Sequence, residues 1–284
     1  MDYFKHKSIN KLRAIEHTKE VSMKYYKQIV FSIENATVYD EEACRKLLDR
    51  STTRPDDFTR VVKFEKSNTV DALFESKKKG NRIDVLNFAS FKNPGGMFME
   101  GSSAQEEHLC HESTLYPVLE SFDNSFYEYN REHKNKSLYR NRCLYTPDIV
   151  FTNSKGKEKM ADVITIAAPN AGAARKNGVS EDIIEATMAE RIKIIYEIAV
   201  DKKIDILILG AFGCGVFKND PYVTAKQFAE IGSSYFGNVL VFAIPDDKHF
   251  DIFRNIISNY FFTDGFEVLL DELKPGTNLE IGEF

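Results

Sequence analysis

Tryptophan is absent from the 284 residues, and cysteine (4), methionine (6) and proline (8) are sparse. Cys44, Cys110, Cys143 and Cys214 stand far apart with no Cys-x-x-Cys pair, which excludes the disulfide framework of a small secreted domain and fits reduced thiols. No apolar run approaches the length of a bilayer span, and no apolar core follows the first seven residues as a signal peptide requires. The chain is therefore expected in the cytoplasm or nucleus, without a membrane partner. A basic excess is also missing: 38 Lys and Arg face 43 Asp and Glu, a net charge of −5. That balance excludes a general polyanion trap and speaks against direct sequence-specific nucleic-acid binding, so an anionic ligand must be held locally. No internal repeat or low-complexity segment is visible.

What is present is ample apolar content, 43%, arranged in a pattern that changes along the chain. Residues 7–33 carry Ile9, Leu12, Ile15, Val21, Met23, Tyr26 and Ile29 at three and four spacing, which predicts one or two amphipathic helices, with a further short helix over 40–49. The polar run 49–57 reads as a boundary. Beyond it, strands are predicted at 61–64, 83–89, 148–151, 163–168, 204–209 and 239–244. Helices are predicted over 67–76 with Ser67 as cap, from Ser102 or Ser103 to about 120, from Ser180 with Ile183, Ile184, Ile194, Ile195 and Ile198 buried, from Asn219 or Asp220, and over 247–258. Residues 153–159 read as a turn. Strands without strict polar alternation, separated by helices, indicate an α/β fold with a mixed, largely parallel sheet covered on both faces. The expected division is an N-terminal helical extension (1–57), a catalytic domain (58–260) and an acidic tail (261–284).

Two glycine-bearing loops leave strands of this sheet, the position where such folds gather ligands. The first, Asn93-Pro94-Gly95-Gly96-Met97, runs on to Gln105-Glu106-Glu107, so backbone that can approach a ligand closely leads to paired acids at a helix start. The second, Gly210-Ala211-Phe212-Gly213-Cys214-Gly215, offers amides near the positive end of the next helix, which suits a diphosphate. Alone, the second loop also reads as a plain turn. Lys218 stands where a dinucleotide fingerprint has its third glycine, and no Gly-Lys-Ser/Thr follows. The acid pair alone also reads as first-turn residues that stabilise a helix.

Together with Leu86-Asn87-Phe88-Ala89-Ser90, Leu115-Tyr116, Ala168-Pro169-Asn170-Ala171-Gly172-Ala173 and Val216-Phe217-Lys218-Asn219-Asp220-Pro221, in this order, these motifs resemble the bacterial-type poly(ADP-ribose) glycohydrolases of the macrodomain superfamily. The resemblance spans roughly residues 13–257. It implies a macrodomain-like sheet that binds ADP-ribose or poly(ADP-ribose) on modified macromolecules, with Glu107 catalytic, Glu106 orienting the ribose and Asn93 on ribose hydroxyls. By the same resemblance Gly213, Cys214, Gly215 and Val216 form the diphosphate loop, Phe217 packs near the distal ribose, and Gly95, Gly96, Met97 and Gln105 complete the substrate contacts. Met97 departs from the family's third glycine, which is expected to alter backbone approach or access to the ribose.

Cleavage of a ribose–ribose bond passes through an oxocarbenium-like state and needs an acid for the leaving oxygen and a base for water. One glutamate can serve both in sequence. A helix N-terminus favours its carboxylate form, so Glu106 and the substrate diphosphate are expected to oppose that preference. The scheme requires no cofactor and no metal. An ADP-ribose reader without turnover and a hydrolase of single ADP-ribose units are the alternative functions, and a reader has no need of Glu107.

Other features have plainer readings. His108, Cys110 and His111 match no zinc spacing and read as packing. Cys214 reads as a small residue beneath its loop. The basic runs 77–79 and 155–159 read as solvated turns with a minor share in steering a polyanion. Tyr127, Tyr129 and Tyr139 read as packing residues, with adenine stacking as the alternative.

Overall fold

A computed structural model describes residues 2–50, 61–76, 82–235 and 239–263. The expected boundary loop beyond residue 50, the basic run 77–79 and the tail from 264 lie outside the described residues. The chain opens with helices α1 (Asp2–Lys24) and α2 (Tyr26–Glu34), strand β1 (Thr37–Tyr39) and helix α3 (Glu41–Leu48). Then follow β2 (Val61–Glu65), α4 (Thr69–Glu75), β3 (Ile83–Phe88), α5 (Gln105–His111), α6 (Leu115–Glu120), α7 (Glu128–Glu132), β4 (Cys143–Thr152) and β5 (Glu158–Ile166). Helices α8 (Ala171–Lys176) and α9 (Glu181–Asp201), strand β6 (Ile206–Leu209), α10 (Pro221–Gly232), β7 (Val239–Ala243) and α11 (Asp247–Thr263) complete it.

The seven strands form one sheet in the order β1-β4-β5-β3-β6-β7-β2. Pairing is parallel from β5 to β2 and antiparallel where β4 meets β1 and β5. The expected mixed, largely parallel sheet is thus the one observed. Strand β3 lies in the middle, and its alternate side chains serve opposite layers. Val85 joins the core beneath α4, α5 and α6, whereas Leu86 joins the core beneath α9, α10 and α11.

Several expectations shift for identifiable reasons. The buried face of the first two helices is Ala14, Val21 and Ile29, while Ile9, Leu12, Ile15, Met23 and Tyr26 are exposed. Asn68, not Ser67, caps α4, its side chain accepting from the Asp71 N–H (2.9 Å). The helix expected to run unbroken to 120 is two helices, α5 and α6. Ser113 leaves the first to bridge to Phe151, and the Thr114 hydroxyl accepts from the Val150 N–H (3.1 Å). Strand β4 is longer than expected and slips in register between Thr146 and Ile149, where Pro147 has no N–H and Asp148 adopts φ +54°. Ile183 is exposed. The short edge strand β1 has no sequence signal beyond Thr37-Val38-Tyr39.

Candidate active site

The loops that leave β2, β3, β5, β6 and β7 and the start of α5 surround a cleft of about 690 Å³ at the carboxyl ends of the parallel strands. Both glycine loops therefore face one site. Asn93, Gly96, Met97, Gln105, Glu106, Glu107, Gly213, Gly215, Val216 and Phe217 line it. Gly95 and Cys214 do not. Gly95 sits above Tyr116 and Cys110, and Cys214 is buried with its thiol directed at the Phe212 carbonyl (3.5 Å). Burial pushes that thiol up to about 12, so it fills space and is no nucleophile.

The acid pair is held by backbone. Helix α5 begins at Gln105 with Ala104, not Ser102 or Ser103, as its first flanking residue, and the Ala104 N–H donates to Glu107 Oε2 (2.9 Å). The Met97 N–H donates to Glu107 Oε1 (2.9 Å), tying the acid to the glycine loop. Glu106 is deeper: its Oε2 accepts from the Ser90 N–H (2.6 Å) and its Oε1 from Asn87 Nδ2 (3.1 Å). Burial raises the Glu106 carboxyl to about 8, against the lowering by the Ser90, Asn87 and Gly95 donors and with a smaller push from Glu107. Around neutral pH a protonated Glu106 leaves the pair with less negative charge than two carboxylates would carry. Asn87 and Ser90 hold this acid and were not foreseen as site residues. An asparagine in a strand whose other members, apart from Asp84, are apolar is the signal that marks Asn87.

Gly96 has φ +65°, and a Cβ there would stand 2.6 Å from Glu107 Oε1 and 3.0 Å from Glu106 Oε2. No side chain fits between that loop and the acids. Met97 is different, with φ −112°, a conformation open to any residue. The backbone there does not need the family's third glycine. What the substitution adds is a half-exposed thioether in the cleft, with Sδ 3.9 Å from Asn93 Nδ2. Gln105 works mainly as a latch: its oxygen accepts from the Phe88 N–H (2.9 Å) and its amide donates to the Leu86 carbonyl (2.9 Å) and to Thr69 Oγ1 (3.2 Å).

In the second loop the carbonyls are tied down and the amides left free. Asn219 Nδ2 donates to the Gly213 (3.0 Å) and Pro169 (2.8 Å) carbonyls, the Gly172 N–H to the Phe217 carbonyl (3.0 Å), and Arg175 Nη1 to the Lys218 carbonyl (2.9 Å). The N–H groups of Gly213, Gly215, Val216 and Phe217 meet no acceptor among the described residues. Gly213, at φ +72°, has Ala168 Cβ 2.6 Å and Asn219 Nδ2 2.7 Å from where a Cβ would be, so the loop is pressed onto the end of β5. At the start of α10 the amides are already taken, Asp220 accepting from the Tyr222 (2.8 Å) and Val223 (3.3 Å) N–H groups. The loop's own amides are the available donors.

At the other end of the cleft stand Asn68, Asp246 and His249, which the sequence did not single out. Of the three tyrosines, Tyr127 is fully buried and Tyr129 stacks on His133 (3.8 Å between ring centroids), while Tyr139 lines the cleft and stacks on Phe91 (4.4 Å). His111 packs edge-on against Phe98, and burial lowers it to about 4. No group of three or more His, Cys, Asp or Glu among the described residues is placed to hold a metal ion. The run 155–159 adjoins the start of β5, away from the cleft, and Lys159 Nζ is bound to the Leu73 and Ser76 carbonyls (2.7 and 2.6 Å).

Comparison with known proteins agrees with this geometry. Residues 7–154, just over half of the chain, match the family described as microbial-type PARG, catalytic domain. Poly(ADP-ribose) glycohydrolase from Deinococcus radiodurans, in complex with ADP-ribose, is 29% identical with a TM-score of 0.72, over 81% of this chain and 97% of that one. Poly(ADP-ribose) glycohydrolase from Thermomonospora curvata is 24% identical with a TM-score of 0.79, over 88% and 99%, and shares the fold. The same protein bound to the inhibitor ADP-HPD gives 24% and 0.76, over 87% and 99%. No curated protein matches the chain. With the family match spanning the acid pair, the chain belongs to the microbial-type poly(ADP-ribose) glycohydrolase (PARG) catalytic-domain family and is a glycosidase.

Proposed function

We propose that Glu107 is the acid and base with which this glycohydrolase releases ADP-ribose from poly(ADP-ribose). The observation that carries the assignment is the position of its carboxyl at the cleft wall, fastened to the Met97 amide of the first glycine loop, in the same cleft that the second loop lines with residues whose amides meet no acceptor among the described residues. The Deinococcus protein, which holds ADP-ribose, supports that ligand for this cleft. The diphosphate lies on the N–H groups of Gly213, Gly215, Val216 and Phe217, which supply directed dipoles without a side-chain cation. The distal ribose then sits between Gly96 and Met97 on one side and Val216 and Phe217 on the other, with Asn93 and Glu106 on its hydroxyls.

In this arrangement the bond from the anomeric carbon to the oxygen of the neighbouring ribose breaks with its electron pair on that oxygen, which takes the proton of Glu107. A water adds to the oxocarbenium-like carbon and returns a proton to the Glu107 carboxylate, so the acid is restored. Glu106 holds the ribose and is itself fixed by Asn87 and Ser90. Glu107→Gln keeps the shape of the side chain and removes the transferable proton. Its turnover of polymer is expected to fall by about 10²–10⁴-fold with ADP-ribose affinity retained. Turnover near the wild-type rate in this variant would remove Glu107 from the chemistry.

A further inference from the structure

Arg191 is the largest fully buried side chain among the described residues, 1% exposed, and lies on α9. Its guanidinium meets carbonyls instead of a carboxylate: Nε donates to Ala167 O (3.0 Å), and Nη2 to Leu138 O (3.2 Å) and Tyr139 O (3.1 Å). Ala167 directly follows β5 and precedes the cleft residue Ala168. Leu138 and Tyr139 end a turn in which Asn135, Lys136, Ser137 and Tyr139 all have positive φ, between +46° and +72°. Four such residues without one glycine do not hold this shape by local preference. The turn is held from outside, carbonyl by carbonyl. Asn177 Nδ2 donates to Lys136 O (3.1 Å), the Asn170 N–H to Ser137 O (2.9 Å), and Arg191 binds the next two.

The product of this bracing is the placement of Tyr139. Its ring lies on Phe91 and 6.0 Å from Phe217, as one wall of the cleft. Phe91 adjoins Ser90, whose amide holds Glu106, and Lys92, which also lines the cleft. The wall packs on Ala167 after β5, next to β3 and the loop that holds Glu106, whereas Asn68, Asp246 and His249 follow β2 and β7 at the opposite end of the strand order. On the proposed placement, with the diphosphate on the second loop after β6 and the distal ribose at the acids after β3, a polymer that continues in the same direction along the strand order reaches the β5 end.

We infer that the Tyr139 turn is a subsite for the ribose and adenosine of the unit on the leaving side of that bond, and that Arg191 is its positioning residue. The inference rests on the glycohydrolase reading of the cleft. Arg191 forks between the strand end and the turn, a geometry that a single ammonium cannot reproduce. Free ADP-ribose, with its distal ribose at the acids and its diphosphate on the second loop, has its own adenosine toward Asn68, Asp246 and His249 and leaves the turn empty, whereas polymer also meets the turn.

The test is Arg191→Lys beside Tyr139→Ala, each checked for folding by circular dichroism. ADP-ribose affinity is read by calorimetry, and KM and kcat on poly(ADP-ribose) by product release. The expected result is ADP-ribose affinity within about twofold of wild type and a polymer KM raised about fivefold or more in both variants. A merely structural role would weaken both ligands together. Equal weakening of the two, or a polymer KM unchanged in both folded variants, overturns the subsite. Wild-type protein that binds polymer without cleaving it overturns the hydrolase reading instead. Polymer affinity in the same variants then decides, and affinity kept by both overturns the subsite as well.

Discussion

The Glu106 carboxyl, raised to about 8 by burial, makes a single residue visible in the pH dependence of the fold. Between about 4.5 and about 8 the folded chain holds a proton that the unfolded chain has released. Stability then falls as pH rises through that window, by at most about 1.4 kcal/mol per pH unit, and levels off above it. Glu106→Gln cannot titrate, so its denaturation midpoints should fall less steeply from pH 5 to 8. At low pH it should be the less stable protein by about 1–3 kcal/mol, because its NH2 must face the Ser90 N–H or Asn87 Nδ2. Parallel pH profiles for the two proteins would mean that Glu106 does not carry the buried proton. At this scale the sequence was legible where a motif named the residue, as with Asn93 and the acid pair. It was opaque where a role depends on distant backbone. Nothing next to Gln105 announces that its amide latches Leu86 and Thr69, and nothing next to Arg191 announces carbonyls 24, 52 and 53 residues away.

Among the elements, the second glycine loop depends most on its neighbours. Asn219 Nδ2 ties the Gly213 carbonyl of the loop to the Pro169 carbonyl after β5 and so fixes where the loop stands. Asn219→Ala should weaken ADP-ribose binding about tenfold and cost about 1–3 kcal/mol of stability, by calorimetry and chemical denaturation respectively. Unchanged affinity would mean that the loop keeps its shape without the latch. Periodicity and caps located the described core strands and the long helix from Ser180, because those signals are local. The break between α5 and α6, the edge strand β1 and the register slip in β4 were not legible. The first two follow from contacts with a strand far along the chain, where Ser113 meets Phe151 and Thr37 pairs with Tyr145, and the slip from Pro147 and the positive φ of Asp148 within the strand.

In the molecule as a whole, one cleft gathers residues from Asn68 to His249, so a ligand that fills it ties together loops that the sheet alone leaves at separate strand ends. ADP-ribose at about a hundred times its dissociation constant should therefore stabilise the fold by about 2.7 kcal/mol, read as a rise in melting temperature that grows with ligand concentration. No rise would mean that the cleft does not take ADP-ribose. The net charge of −5 fits a site that holds its anion by backbone dipoles instead of a basic face. The acidic balance implies local capture of any anion, and gives no sign that Asp220 occupies the start of α10. The central claim concerns turnover, and incubation of the wild-type protein with labelled poly(ADP-ribose), followed by separation of the products, tests it most directly. Free ADP-ribose accumulating with time, and not accumulating with Glu107→Gln, is the predicted result. Polymer that stays bound and intact with the wild-type protein would contradict it.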